Sequence, residues 1–206
     1  MLELLKEKRR RYILSRSLPK YEKIFGLLSE KGKILDAGCG KKSRLSEYLL
    51  SKNNFINIVG CDMEKSSSFK HKNFRYSSLN LDKGFNFKIN FDTIIFADVL
   101  EHLKKPEKIL EQASKHTNKF IISIPNLDFF MYKIYPKLEN PPKGESQHLH
   151  HWKLKEFLNL LPKDFKIVRK EYCSDFPEFR WTNYFPFKNK SFFNQTIILE
   201  AIKNKN

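Results

Sequence analysis

The sequence predicts an α/β fold built on a doubly wound, mostly parallel sheet. Three observations predict it. Short apolar runs recur along the chain and read as strands buried on both faces. Segments with apolar residues at helical spacing separate them. Several runs end in glycine, aspartate or proline, which stop a strand and open a loop.

The elements follow in order. Lys33-Ile34-Leu35-Asp36-Ala37 is an apolar run ending at Gly38 and reads as the first strand. Leu45, Tyr48 and Leu49 then recur at i, i+3 and i+4, a helix that Ser43 is expected to cap. Ile56 to Cys61 forms the second strand and stops at Asp62; Phe74 to Leu79 forms a weaker third. Phe91 to Ala97 is the fourth strand. Pro106 opens a helix carrying Ile109, Leu110 and Ala113. Lys119 to Ile124 is the fifth strand, stopped by Pro125. Leu154, Phe157, Leu158 and Leu161 mark a further helix, and Phe165 to Arg169 and Gln195 to Ile202 read as the final strands. Two long aromatic stretches, 126–151 and 173–194, break the rhythm; loops of that length in a compact domain are functional or structured in their own right.

The chain has 206 residues, which predicts a single domain over 1–206, with 1–30 as an N-terminal helical cap and 126–151 and 173–194 as insertions near the site where a substrate binds. Such a length buries roughly 70% of the unfolded chain's surface, enough for a core without staples. Hydrophobic content of 40% excludes a disordered chain, and no apolar stretch is long enough for a membrane span. No signal peptide is visible at the N-terminus. Cys39, Cys61 and Cys173 lie far apart without CxxC spacing, which argues against a disulfide framework or a zinc site and predicts a cytoplasmic protein. The net charge of +16 comes from 31 lysines and only 8 arginines scattered along the chain. That distribution reads as a solvated surface rather than a nucleic-acid footprint, with the run Lys6 to Arg11 as the one cluster.

In parallel sheets ligands bind beyond the carboxyl ends of the strands, so chemistry is sought just after each strand. Asp36-Ala37-Gly38-Cys39-Gly40 closes the first strand with a GxG, whose glycines let the backbone turn tightly and approach a ligand. The third glycine of the dinucleotide fingerprint is missing, with Ser43 in its place. An acid, Asp36, precedes the glycines, and its charge suits a cationic ligand better than a pyrophosphate. S-adenosylmethionine, with a sulfonium and an ammonium and no phosphate, is such a ligand. Asp62 ends the second strand, where a carboxylate can accept hydrogen bonds from both ribose hydroxyls or simply cap a helix.

With these residues in view, the chain resembles the class I S-adenosylmethionine-dependent methyltransferases. The resemblance runs through Ile34 to Gly40, Val59-Gly60-Cys61-Asp62, Phe91 to Leu103 and Ile122-Ser123-Ile124-Pro125-Asn126, covering roughly residues 30–172. It implies a Rossmann-like sheet with an antiparallel last strand and S-adenosylmethionine as cofactor. It further implies that Asp36, Gly38 and Gly40 hold the methionine portion, that Asp62 binds the ribose and that Met63 lies against the adenine. Asn80 stands where the family often has an Asp near the adenine amine, with Asp82 as the fallback. Ala97 and Asp98 border the sulfonium. Lys41-Lys42 departs from the family pattern, which commonly has another glycine there.

Methyl transfer asks mainly for positioning, and for a base only where the acceptor must lose a proton. His102, just past the fourth strand, is the candidate base; the alternative is that Glu101-His102 merely begins a helix. His148, His150 and His151 form a second cluster before Trp152. Asp98-x-x-Glu101-His102 with a distant His148 is similar to the metal site of small-RNA 3′-terminal 2′-O-methyltransferases, and some ubiquinone-pathway O-methyltransferases show a related pattern. Two carboxylates and two imidazoles could hold a divalent ion. Loop and cap roles for these histidines are the plainer reading, and no metal is assigned from sequence. Phe129, Phe130, Tyr132 and Tyr135 fit a lid or a packed helix, and the aromatics from Phe176 to Phe193 fit packing first. No Asn-Pro-Pro-Tyr motif follows the fourth strand, which argues against methylation of base amino groups of that kind. The leading expectation is transfer to a small-molecule acceptor, at a hydroxyl oxygen. An RNA 2′-O-methyltransferase is the second, on charge and histidine pattern. A non-catalytic binding module, suggested by Lys41-Lys42 and Asn80, is the third.

Overall fold

A computed structural model describes residues 17–134, 148–174, 183 and 190–204. The basic run Lys6 to Arg11, Tyr135 and the aromatics from Phe176 to Trp181 and from Tyr184 to Phe187 lie outside those residues, as does most of both long breaks.

Seven strands form one sheet: β1 (Gly32–Ala37), β2 (Ile56–Asp62), β3 (Phe74–Ser78), β4 (Thr93–Ala97), β5 (Lys119–Pro125), β6 (Phe165–Cys173) and β7 (Thr196–Lys203). Their order is β3-β2-β1-β4-β5-β7-β6. β1 to β5 pair in parallel, and β7 runs antiparallel between β5 and β6. The expected architecture, with its antiparallel last strand, is therefore the one observed.

Side-chain alternation along the strands divides the core in two. Leu35, Ala37, Ile94, Phe96, Phe120 and Ile122 point to one face. There they meet α3 (Pro106–Ala113) through Ile109, Leu110 and Ala113, and α5 (Leu154–Leu158) through Phe157. Ile34, Ile58, Ile95, Ile121 and Ile198 point to the other face. They meet α1 (residues 17–25) through Ile24 and α2 (Arg44–Lys52) through Leu45, Leu49 and Leu50. Both faces are covered, which is why β4 and β5 read as unbroken apolar runs. One charge sits within buried β7: Glu200 pairs with Lys119 at 2.7 Å across the β5–β7 ladder, so it is not left bare.

Pro106 lies in the first turn of α3, where a missing N–H costs nothing. Ser43 does not cap α2 as expected. It has φ 44° and makes no side-chain bond to the helix; its hydroxyl meets Ser67 Oγ at 2.7 Å instead. A residue in the left-handed region directs its side chain away from the N-terminal N–H groups, so the cap geometry is lost.

The two long breaks meet where they are described. The Asn126 amide donates to the Ser191 and Asn194 carbonyls, each at 2.6 Å. Phe130, opening α4 (Phe130–Ile134), stacks on Phe192 of α6 (Lys190–Phe193) at 5.2 Å between ring centres. Phe129 is buried, in line with packing rather than a lid.

Candidate active site

The turn after β1 is shaped by its backbone donors. The N–H groups of Gly38 and Cys39 both donate to the Cys61 carbonyl, at 2.7 and 3.0 Å. The Gly40 N–H donates to Asp62 Oδ2 at 2.9 Å. Gly38 and Gly40 hold φ of 76° and 66°, where side chains are strained. The two differ in what surrounds them. A Cβ on Gly38 would meet Val99 Cγ2 at 2.4 Å, whereas one on Gly40 would meet nothing within 4 Å. Gly38 is thus required by packing, and Gly40 faces open space.

That space is a cavity of about 350 Å³ at the carboxyl ends of β1 and β4. Asp36, Gly38, Gly40, Ala97 and Asp98 line it, so the structure brings together five of the residues expected from sequence. Asp62, Met63 and Asn80 are not among its walls. Asp62 is engaged with the Gly40 N–H and, at 3.2 Å, with the Glu64 N–H. Met63 is 73% exposed just beyond β2. Asn80 Oδ1 accepts from the Asp82 N–H at 2.9 Å and caps the short 3-10 turn Leu81–Lys83, while Asp82 accepts from the Lys104 N–H at 2.8 Å.

Asp36 sits on the α2 side of the sheet and is buried, accepting from the Ser46 hydroxyl at 2.6 Å. Burial pushes its carboxyl up to about 6, against the hydrogen bonds from Ser46, and Asp62 adds to the rise. Asp98 follows β4 in a left-handed conformation, φ 55°. Its N–H and carboxylate are both held by Ser123, through bonds of 3.0 and 2.6 Å to the hydroxyl. Its other oxygen accepts from Lys20 of α1. Burial alone would raise Asp98, but the Lys20 ammonium and the bonds from Lys20 and Ser123 hold it below the usual carboxylate range. Lys20 and Tyr21 form the cavity wall on the α1 side. Sequence reasoning did not single out Lys20: a lysine on a helix is ordinarily solvated, and only its burial, which no local pattern signals, marks it.

A second cluster lies just past Asp98. Glu101, His102 and His148 each offer a donor atom, and these lie within 4.8 Å of one another. The His102 and His148 rings meet edge to face at 4.9 Å. The segment carrying His148 is pinned there because the Leu149 and His150 N–H groups both donate to the Glu101 carbonyl, at 2.8 and 3.2 Å. Glu101 is 1% exposed, and neither carboxylate oxygen has a hydrogen-bond partner; His148 Nδ1 is likewise buried and unpartnered. Burial, with the nearby Asp98 charge, pushes Glu101 up to about 8. Burial and then the charges of His102 and His151 lower His148. One carboxylate and two imidazoles, with the Glu101 oxygens and His148 Nδ1 unpartnered, fit a divalent cation such as Zn²⁺ or Mn²⁺. Asp98 stands outside this trio, committed to Lys20 and Ser123. Burial raises the Cys39 thiol well above its usual range and pushes Cys61 up to about 12, so neither is poised as a thiolate.

A family model described as a methyltransferase domain matches residues 5–177. A search of curated proteins returns no match. Solved structures of the same fold include the plantazolicin methyltransferase BpumL, in complex with a desmethyl-plantazolicin analogue and S-adenosylhomocysteine, at 17% identity and TM-score 0.61, covering 96% of this chain and 84% of that one. The small RNA methyltransferase HEN1 matches at 16% identity and TM-score 0.67, over 92% of this chain and 25% of that one. An S-adenosylmethionine-dependent methyltransferase from Mesorhizobium loti matches at 15% identity and TM-score 0.65, over 91% and 98%.

Two variants separate the roles of the glycines. Gly38→Ala is expected to destabilise the fold by about 2–4 kcal/mol, combining left-handed strain with overpacking against Val99. Gly40→Ala should cost only the strain, about 1–2 kcal/mol. Urea midpoints of the two proteins check the difference. A second expectation concerns Glu101. Its folded pKa lies above the unfolded one, so the native state binds more protons between pH 4.5 and 8, and stability falls as pH rises through that window. Glu101→Gln, without metal, should flatten that decline in a melting-temperature series across the window.

Proposed function

The chain belongs to the methyltransferase-domain family, as an S-adenosylmethionine-dependent enzyme, and we propose that it methylates a hydroxyl oxygen of a small-molecule acceptor. The observation that carries the cofactor part of this reading is the buried acid Asp36 at the edge of a cavity floored by left-handed glycines, and His102 past β4 supports the hydroxyl acceptor. A buried acid whose charge is met only by hydrogen bonds from Ser46 is stabilised by an incoming cation, and the cofactor's amino-acid end supplies an ammonium. Gly38 and Gly40 give the methionine portion room, Asp62 takes the ribose, and Met63 and Asn80 take the adenine once the ligand extends beyond the cavity. Ala97 and Asp98 border the sulfonium.

The reaction is an in-line displacement. The acceptor oxygen forms a C–O bond as the C–S bond breaks, its electron pair returning to sulfur, and the hydroxyl proton passes to His102 as general base. The sulfonium is already activated, so most of the barrier is lowered by alignment and exclusion of water. The segments 126–151 and 173–194 are proposed to wall the acceptor; their tie through Asn126 and the Phe130–Phe192 stack supports this.

The Glu101–His102–His148 trio favours a second reading, transfer to a ribose 2′-hydroxyl of RNA with a divalent cation. Bound there, the cation would lower the pKa of the acceptor hydroxyl. His102 would then serve as a ligand. The fold it shares with the small RNA methyltransferase HEN1 is compatible with this reading, as is the net charge of +16.

Replacing His102 by Ala should lower kcat by about 10²–10⁴ while leaving cofactor affinity unchanged, measured by calorimetry and methyl-transfer kinetics. Under the first reading chelator leaves turnover intact; loss of activity with chelator, restored by Mn²⁺, selects the second. Cofactor affinity should weaken as pH falls through about 6, because protonated Asp36 no longer pairs with the ammonium. Titration calorimetry between pH 5 and 8 with wild type and Asp36→Asn checks this, the variant lacking the dependence.

A further inference from the structure

A second cavity, of about 220 Å³, shares no wall residue with the one beside Asp36. Its walls are the 3-10 turn Leu81–Lys83 after β3 and the segment that runs from His102 into α3, so it too lies at the carboxyl edge of the sheet. Four lysines line it, Lys83, Lys104, Lys105 and Lys108, against one acid, Asp82, which leaves a surplus of three positive charges. We infer that this cavity is a phosphate-binding subsite, and that the hydroxyl-bearing acceptor carries a phosphate ester that occupies it. This rests on the methyl-transfer reading above and gives the acceptor a chemical class.

Two bonds fix the walls. Asp82 accepts from the Lys104 N–H at 2.8 Å, which ties the turn after β3 to the segment after β4. The Gly84 N–H donates to the Leu81 carbonyl at 3.0 Å, and Gly84, buried and at φ 124°, ends the turn without a side chain. All four lysines are exposed, and among the described residues none of them is in an ion pair, whereas Lys20, Lys23, Lys119 and Lys203 each meet an acid. Glu107, just before Lys108, is exposed and does not line the cavity. Ammoniums gathered around one concavity repel one another, and a bound anion relieves that repulsion. A phosphate ester suits them better than a carboxylate. It brings up to two charges on several acceptor oxygens, which lysine meets as a point charge. The planar fork of a carboxylate is matched by arginine, and the cavity has none. Its volume is below the roughly 300–1,000 Å³ of pockets that take a whole ligand, so it houses one group of a larger molecule. Lys104 lies two residues beyond His102, at most about 7 Å along the chain. One acceptor can therefore set its hydroxyl at the imidazole and its phosphate among the lysines. Between the two, the His150 ring meets the Leu103 carbonyl at 2.8 Å and holds the segment in place.

The test reads binding through amide and imidazole chemical shifts of the full chain, with and without S-adenosylhomocysteine. The probes are pyrophosphate, ribose, ribose 5-phosphate and a short single-stranded RNA. Pyrophosphate should saturate with shifts at Gly84, Lys104 and Lys105, and ribose should not. The probe that resembles the acceptor should also move the His102 ring: RNA where the phosphate belongs to a strand, ribose 5-phosphate where it belongs to a small molecule. A quadruple variant, Lys83→Gln, Lys104→Gln, Lys105→Gln and Lys108→Gln, should weaken pyrophosphate binding about 10–100-fold, the worth of a charge-assisted hydrogen bond. A control removes the same charge at the opposite edge, from exposed lysines ahead of β1, β2, β3 and β5: Lys31→Gln, Lys52→Gln, Lys72→Gln and Lys115→Gln. It should bind pyrophosphate as wild type does. Circular dichroism confirms that both variants are folded. Equal losses in the two variants, or no saturable shift around Gly84, would overturn the inference. So would RNA and ribose 5-phosphate both leaving His102 unmoved. Saturation by pyrophosphate without any binding of S-adenosylhomocysteine would remove the cofactor reading and leave the phosphate subsite standing.

Discussion

The turn after β1 is fastened to the end of β2, and the rest of the site depends on that attachment. Three successive N–H groups, those of Gly38, Cys39 and Gly40, are all spent on Cys61 and Asp62. Parallel pairing of Asp36 with Gly60 and Ala37 with Cys61 sets the height at which those acceptors stand. The turn therefore cannot slide without breaking the register of two central strands. Asp62 takes part as a structural acceptor, so the same carboxylate that would meet a ribose also shapes the loop that meets the amino-acid end. In the proposed binding mode, adenosyl and methionyl recognition would be coupled through that one side chain.

Parity in the strands explains which side chains reach the cavity. Leu35 and Ala37 face α3 and α5, while Ile34 and Asp36 face α1 and α2. An acid at position 36 is thus delivered to the side where Ser46 and the Lys20–Tyr21 wall stand. A shift of one residue would bury it among Ile94, Phe96 and Phe120 instead, with no donor to meet it. Asp98 arrives by a different route: the left-handed turn at the end of β4 rotates it back toward α1, where Ser123 of the next strand and Lys20 hold it.

Much of this was legible in the sequence. Apolar runs located the strands because strands covered on both faces have little use for polar side chains, and Gly38 and Gly40 marked a turn whose φ values require them. Contacts between distant segments were not legible. Lys20 meets Asp98 across 78 positions, and nothing in a helix with mixed charges shows which lysine turns inward. The Ser43 cap failed for a related reason: residue type and spacing suggested it, but the loop's left-handed path, dictated by its attachment to β2, took the side chain toward Ser67. Asn80 also closes the 3-10 turn after β3 through its side-chain oxygen, a local use that residue type and spacing did not announce.

The two roles open to His102 exclude one another, and Glu101 is the residue that separates them. A general base needs a free lone pair directed at the acceptor; a metal ligand has given that pair away. Glu101 buried beside it, raised to about 8 by desolvation and by Asp98, is a neutral acid at pH 7 unless a cation compensates its charge. Without a cation, a neutral Glu101 places no charge beside the adjacent imidazole, and the lone pair of His102 is not committed to a metal. With a cation, the same carboxyl ionises, its two unpartnered oxygens are satisfied, and His148 Nδ1 with them. The acid that looks wasted in one chemistry is thus the anchor of the other, and its protonation state distinguishes them before any acceptor is known.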